Sequence, residues 1–186
     1  MDLDRADRRR LRSALSSAAP TPPPPGGGGG AALNLAPFGE RAIALLIDFA
    51  IFFAIGIVVN IIGFVVGSIS DVLGLLFSLL TFVVYIGLGF VVFAMGEGGP
   101  LGQTPGKHMR GIKVIKEDGS QLGTGGGVLR WIGRILDTIV CGLPIGYLWP
   151  LFDDQERAWH DMVASTRVVT GGQQGSIGDW FAKFRG

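Results

Sequence analysis

The chain has 186 residues, 48% hydrophobic and only 17% charged, with sixteen Lys and Arg against fifteen Asp and Glu. A mean hydropathy of +0.44 excludes an ordinary soluble domain and points to the membrane. One cysteine, Cys141, rules out an internal disulfide, and the Lys and Arg residues, whose net excess is only +1, follow one side of the apolar runs, which argues against nucleic-acid binding.

The first 36 residues read as a disordered basic tail and linker. Met1–Ala19 carries Arg5, Arg8, Arg9, Arg10 and Arg12, and Pro20–Gly30 tethers it with a stiff Pro half and a flexible Gly half. The tail either touches anionic lipid, at about 1 kcal/mol per basic residue, or merely enforces orientation. No cleavable signal peptide is expected, because the first apolar run is far longer than a signal h-region.

Two runs of hydrocarbon side chains follow, Ala42–Val66 and Val72–Met95. Each exceeds the ~20 residues that cross a ~30 Å hydrocarbon core. Their only ionisable acids are Asp48, within the first run, and Asp71, just before the second. On a helical wheel Asp48, Gly56, Asn60, Gly63 and Gly67 occupy about one third of the first helix, the face expected to pack on protein. Asp48 is expected about two turns deep, where an isolated carboxylate costs at least ~2.5 kcal/mol. It needs a cationic or hydrogen-bonding partner, or a proton. In the second run Gly74, Ser78, Thr81, Tyr85 and Gly89 share one face, which is expected to meet the Asp48 face. The alternative is that Ser and Thr bond back to their own helix. The short loop Gly67–Asp71 holds no Lys or Arg, so it should face outward and the remainder the cytoplasm.

Beyond the second run, Gly111–Lys116 and Ser165–Thr170 read as strands that can pair into a ribbon, and Asp118-Gly119 as a tight turn. Between them, Leu129–Phe152 is long enough to cross once, yet crossing would place four C-terminal basic residues outside. A bend at Cys141–Gly146 favours a re-entrant or surface hairpin, one helix running to about Val140 and another to about Phe152. Arg130, Arg134 and Asp137 share a face of the first helix, as on an interfacial helix. Residues 171–186 form a tail in which Ile177, Trp180, Phe181 and Phe184 are either a short interfacial anchor helix or a frayed end. The expected fold is therefore all-α and membrane-integral, with two transmembrane helices, a third apolar hairpin and a short cytoplasmic β-ribbon.

Gly102-Gln-Thr-Pro-Gly-Lys107 approaches a phosphate loop but is one residue short, carries Pro105, and is followed by His108 rather than Ser or Thr. Nucleotide binding is rejected. His160-Asp161 suggests a metal or a dyad, but no zinc-type spacing or nucleophile–base arrangement accompanies it. No catalytic residue, metal or cofactor is expected.

Taken together, Arg41-Ala-Ile-Ala-Leu-Leu-Ile-Asp48, the Gly102–Lys107 loop leading into Gly111-Ile-Lys-Val-Ile115, Leu129-Arg130, and Trp159-His-Asp161 running to Arg167-Val-Val169 resemble the RDD family of small bacterial membrane proteins. The resemblance covers about residues 37–170, with spans near 42–66, 72–95 and 129–152. The Arg and two Asp for which the family is named map onto Arg41, Asp48 and Asp161. Its usual Ala-Gly-Thr appears here as Ala164-Ser165-Thr166. The resemblance implies a multi-pass fold, and a transport role has been proposed for the family.

Two functions remain open. One is cation/proton-coupled transport at Asp48, which requires an oligomer because two spans enclose no pathway. The other is a non-catalytic scaffold or accessory subunit, with Arg41, Asp48 and Asp161 as a structural network. Lys107, Arg130, Arg134, Asp137 and His160 are secondary candidates. The expected partners are the bilayer and either further copies of the chain or a larger membrane complex, but not nucleic acid. The expected location is the bacterial plasma membrane, N-terminus cytoplasmic.

Overall fold

The computed structural model describes residues 34–141 and 145–184, without the side chains of residues 138–145. The basic tail and the Pro/Gly linker lie outside the described residues, as does most of the expected bend at Cys141–Gly146.

Helix α1 spans Phe38–Ile69, opening directly after Pro37 with Glu40 in its first turn, where an acid complements the positive helix end. Only Ser70, in an extended conformation, separates it from α2, Asp71–Gly89. A single extended residue forces the chain back on itself, and the pairing is antiparallel. Gly67 meets Gly74, Gly63 meets Phe77, and Gly56 meets the Tyr85 hydroxyl. A Cβ on Gly74 would stand 2.9 Å from the Gly67 Cα, so this crossing depends on two residues without side chains. The expected packing face is therefore present, with two differences. The Ser78 hydroxyl bonds back to Gly74 O at 2.9 Å, and Gly89 faces Trp131 rather than α1.

Both helices are long and apolar enough to cross a membrane. Away from the cap they present Phe53, Phe64, Ile69 and Leu80 openly, Phe64 at 80% exposure. In water such a contiguous surface would associate, whereas lipid solvates it.

Beyond Gly89, α2 widens into a π turn, Phe90–Met95, and closes through Gly96–Gly98. The widened turn sets Phe93 against Phe52, ring centroids 5.7 Å apart, and beneath the Arg134 guanidinium at 4.9 Å.

The rest of the chain forms a cap over this end of the hairpin. Helix α3 is Pro105–Arg110, capped by the Thr104 hydroxyl and with Pro in its first turn. Strand β1, Ile112–Lys116, pairs antiparallel with β2, Thr166–Thr170, in the register Ile112↔Thr170 to Lys116↔Thr166. The expected ribbon and the turn at Asp118-Gly119 are both present, Gly119 having φ +83°. Asn34–Ala36, assigned above to the linker, instead lies along β2. Leu35 bridges Val169, and Ala36 N donates to Val168 O at 2.9 Å. The folded domain thus begins before residue 37. Ala36, Ala44, Ile112, Val114, Leu122 and Val168 form the core of the cap.

Helix α4, Gly123–Cys141, begins six residues ahead of the apolar stretch expected at Leu129. It is followed by α5, Ile145–Leu148, and the 3₁₀ turn Trp149–Leu151. Leu129, Ile132, Ile135 and Leu136 are exposed, while Arg130, Arg134 and Asp137 are buried. The shared polar face was expected at a membrane surface; it turns instead into the protein, because two carboxylates await it there. Helix α6, Trp159–Val163, leads into β2. Helix α7, Ile177–Phe184, ends the described chain. Its Trp180 is fully buried, stacked on Phe184 and donating Nε1 to Gln103 O at 2.8 Å. The C-terminal aromatics thus form a helix packed on the cap.

Candidate functional site

Helix length decides where Asp48 sits. At 1.5 Å per residue α1 is about 48 Å long, roughly 18 Å more than a hydrocarbon core needs. The surplus is at the N-terminal end, where Phe38–Asp48 packs against α3. The stretch Phe49–Ile69 is about 31 Å, one full crossing. Asp48, expected inside the span, immediately precedes that stretch, where α1 meets the cap, and is 3% exposed.

Its partners come from the Gly102–Lys107 loop. Thr104 Oγ1 donates to Asp48 Oδ2 at 2.6 Å, and Gly106 N donates to Oδ1 at 2.7 Å. A Cβ at Gly106 would lie 2.0 Å from Ala44 O and 2.9 Å from Asp48 Oδ1. Glycine is thus what lets α3 approach α1 closely enough for the carboxylate to accept both bonds. The loop that imitates a phosphate cradle receives a carboxylate from its own chain.

The centre of the charge network is Glu97, a residue that sequence reasoning missed. It is fully buried at the end of α2. Lys107 of α3 pairs with it, as do Arg130 Nε at 2.9 Å and Arg134 Nη2 at 2.6 Å from α4. One signal was available: Glu97 is the first Asp, Glu, Lys, Arg or His after Asp71.

Asp161 is the second centre. It pairs with Arg41 of α1 and with Arg130 of α4, and its Oδ2 caps its own helix by accepting Ala158 N at 2.9 Å. Arg130 therefore touches both carboxylates, and also donates to Thr166 of β2. Arg41 also donates to Glu156 O. Of the two-Asp, one-Arg set, the structure joins Arg41 to Asp161 but gives Asp48 other partners. Asp137 leaves the cluster to accept Gly146 N at 3.0 Å. His160 is buried, with its ring centroid 4.9 Å from that of Tyr147. Its Nε2 is 3.7 Å from Asp161 Oδ1, too long for a hydrogen bond.

These surroundings set protonation. Burial, offset by Glu97, brings the Lys107 ammonium down to about 8. Burial opposes ionisation of Asp161, but Arg130 above all overcomes it and holds the carboxyl below its ordinary range. Burial, reinforced by Arg134, keeps the His160 imidazole neutral well below its usual value.

A cavity of about 210 Å³ adjoins the network. Arg41, Asp48, Lys107, Arg130, Arg134 and His160 contribute to its walls, together with apolar side chains of α1 and α5.

The profile of the RDD family matches residues 35–165. The chain belongs to the RDD family. The match starts at Leu35, the residue that bridges to β2, and takes in Arg41, Asp48, Glu97, Arg130 and Asp161. A proline-rich antigen homolog of Mycobacterium tuberculosis is 32% identical over 85 residues, which cover 45% of this chain and 35% of that protein. Uncharacterized protein YxaI of Bacillus subtilis is 28% identical over 89 residues, 48% of this chain and 57% of its own length. The matched stretch thus spans about a third of the first relative and somewhat over half of the second. No solved structure matches.

Proposed function

We propose that this RDD-family chain is a non-catalytic membrane module, a scaffold or accessory subunit whose charge network clamps two spans to a cytoplasmic cap. One observation carries the reading. Glu97 and Asp161 collect Lys107, Arg130, Arg134 and Arg41, so α1, α2, α3, α4 and α6 are tied through two buried carboxylates. A network that closes on itself favours holding a geometry over moving an ion. The membrane is read as the bacterial plasma membrane, with the cap and N-terminus cytoplasmic, because the basic residues gather at the cap end. Helices α4 and α5 serve as a surface or re-entrant hairpin, the exposed leucines and isoleucines of α4 resting in the outer edge of the hydrocarbon. The open apolar faces of α1 and α2 suit further copies or a larger membrane complex. No role with nucleic acid is proposed.

A second reading is cation/proton-coupled transport at Asp48, in an oligomer. It is favoured by the position of Asp48 in the wall of the cavity. Dye-monitored exchange in proteoliposomes of wild type and Asp48→Asn separates the two. The scaffold reading expects no exchange in either protein, and loss of assembly or abundance in the variant. Exchange in wild type that vanishes in a correctly assembled Asp48→Asn protein sinks the scaffold reading.

A further inference from the structure

We infer that the cavity beside the network binds the phosphate headgroup of an anionic phospholipid, with the acyl chains leaving past Leu46 and Leu148. This goes beyond the scaffold reading, which needs no ligand.

Charge is the first argument. Arg41, Lys107, Arg130 and Arg134 all line the cavity. They face Glu97, Asp161 and Asp48, but of the charged side chains that reach the cavity wall itself four are cations and one, Asp48, is a carboxylate. The wall therefore favours an anion.

Unused hydrogen-bonding capacity is the second. Arg130 is fully buried and His160 only 4% exposed. Arg130 Nη2 and His160 Nδ1 have no hydrogen-bond partner among the described residues, and both residues line the cavity. A guanidinium N–H and an imidazole nitrogen that can carry a proton are both donors, as phosphate oxygens require.

Shape is the third. The remaining wall is apolar and includes Phe38, Leu45, Leu46, Leu148 and Pro150. Leu46 and Leu148 are largely exposed, and Leu46 lies next to the start of the exposed apolar stretch of α1. About 210 Å³ is below the ~300 Å³ at which pockets take whole drug-sized molecules. It suits a headgroup whose hydrocarbon stays outside. A soluble phosphate would satisfy the donors but leave the apolar wall unused.

Delipidated full-length protein in a neutral detergent is titrated with phosphatidylglycerol, phosphatidylcholine or inorganic phosphate. Native mass spectrometry and thermal unfolding report binding. One phosphatidylglycerol per chain is expected, with phosphatidylcholine and inorganic phosphate each at least tenfold weaker. Ala42→Leu and Leu45→Trp fill the cavity without touching a charged residue, and are expected to weaken phosphatidylglycerol binding at least tenfold. Unfolding without lipid shows whether each variant is folded, and the comparison among the three ligands needs no variant. Equal binding of the two lipids, or phosphatidylglycerol binding unchanged in folded cavity-filling variants, overturns the proposal in favour of nonspecific annular lipid. Inorganic phosphate binding as tightly as phosphatidylglycerol overturns it in favour of a soluble anion.

Discussion

Arg130 Nε stands 2.9 Å from Glu97 Oε2, and the same guanidinium pairs through Nη1 with Asp161. One side chain thus joins the end of the second span to the Trp159-His-Asp161 motif. All three residues are essentially inaccessible to solvent. Buried pairs of this kind add little net stability over a well-packed apolar core, but breaking one leaves an uncompensated charge.

Glu97→Gln is therefore expected to be severe. It takes the shared carboxylate away from Lys107, Arg130 and Arg134 at once, at a cost on the order of 3–5 kcal/mol. Thermal unfolding in detergent, and the amount of protein inserted in membranes, report it. A variant as stable as wild type would show that the network is not what holds the cap.

Gly106→Ala pushes a methyl into Ala44 O and Asp48 Oδ1. It should undock α3 from α1 and destabilise by about 1–3 kcal/mol, as overpacking does. Gly39→Ala is the control, since nothing lies within 4 Å of a Cβ there. In the first turns of a helix that change should be neutral or stabilise by up to ~1 kcal/mol. The difference between the two unfolding midpoints is the measurement.

Ser165 has φ +49° and follows the C-terminus of α6, its N–H bonding Met162 O at 3.2 Å. That left-handed position favours glycine, which accounts physically for the Ala-Gly-Thr pattern that the resemblance implied. Ser165→Gly should stabilise by roughly 0.5–1 kcal/mol. A lower unfolding midpoint in the variant would contradict this.

Stability should rise with pH in three windows. The folded state keeps His160 neutral well below its ordinary value, so below about 6.5 only the unfolded chain takes up that proton. Asp161, held low when folded, contributes stability above the unfolded value of about 4 and loses it as pH falls further. Lys107, brought to about 8, is protonated in the unfolded chain and deprotonated in the folded one from there to about 10.4, again favouring folding as pH rises. Unfolding midpoints between pH 5 and 7 test the first window. His160→Gln should flatten that slope while leaving the alkaline window in place.

Trp180→Ala removes a buried indole that stacks on Phe184 and bonds Gln103 O. A loss of about 3–5 kcal/mol is expected, with α7 released to protease before the rest of the cap. Simultaneous digestion of α7 and the cap would show that α7 does not unfold separately.

Local pattern exposed part of the site and concealed part. Arg130 and Arg134 are recognisable as one face because helical spacing alone puts them there. That the face turns inward depends on Glu97, 33 and 37 residues away in the chain. Asp48 stands out as an acid in an apolar run, and Arg41 seven residues before it looks like its natural partner. The structure sends Arg41 to Asp161, 120 residues on, and satisfies Asp48 with a hydroxyl and an amide 56 and 58 residues on. An amide and a hydroxyl carry no charge signature in a sequence. Asn34–Ala36 was missed because three residues beside a Pro/Gly linker are too few for a strand pattern; their pairing exists only once β2 is in place.

The sequence by itself determined two helices long and apolar enough to cross a membrane, and the β-ribbon, because each follows from local hydropathy, chain length or alternation; the expected loop Gly67–Asp71 shrinks to the single extended residue Ser70. It also determined family membership, through motifs that keep their order along the chain. Only the tertiary structure decided that Glu97 is the centre of the charge network, that the polar face of α4 points inward, and that Asp48 belongs to the cap. Those outcomes depend on which buried charge finds which partner across the fold. Desolvation makes every unpaired arrangement costly, and nothing in local spacing specifies the pairing that avoids it.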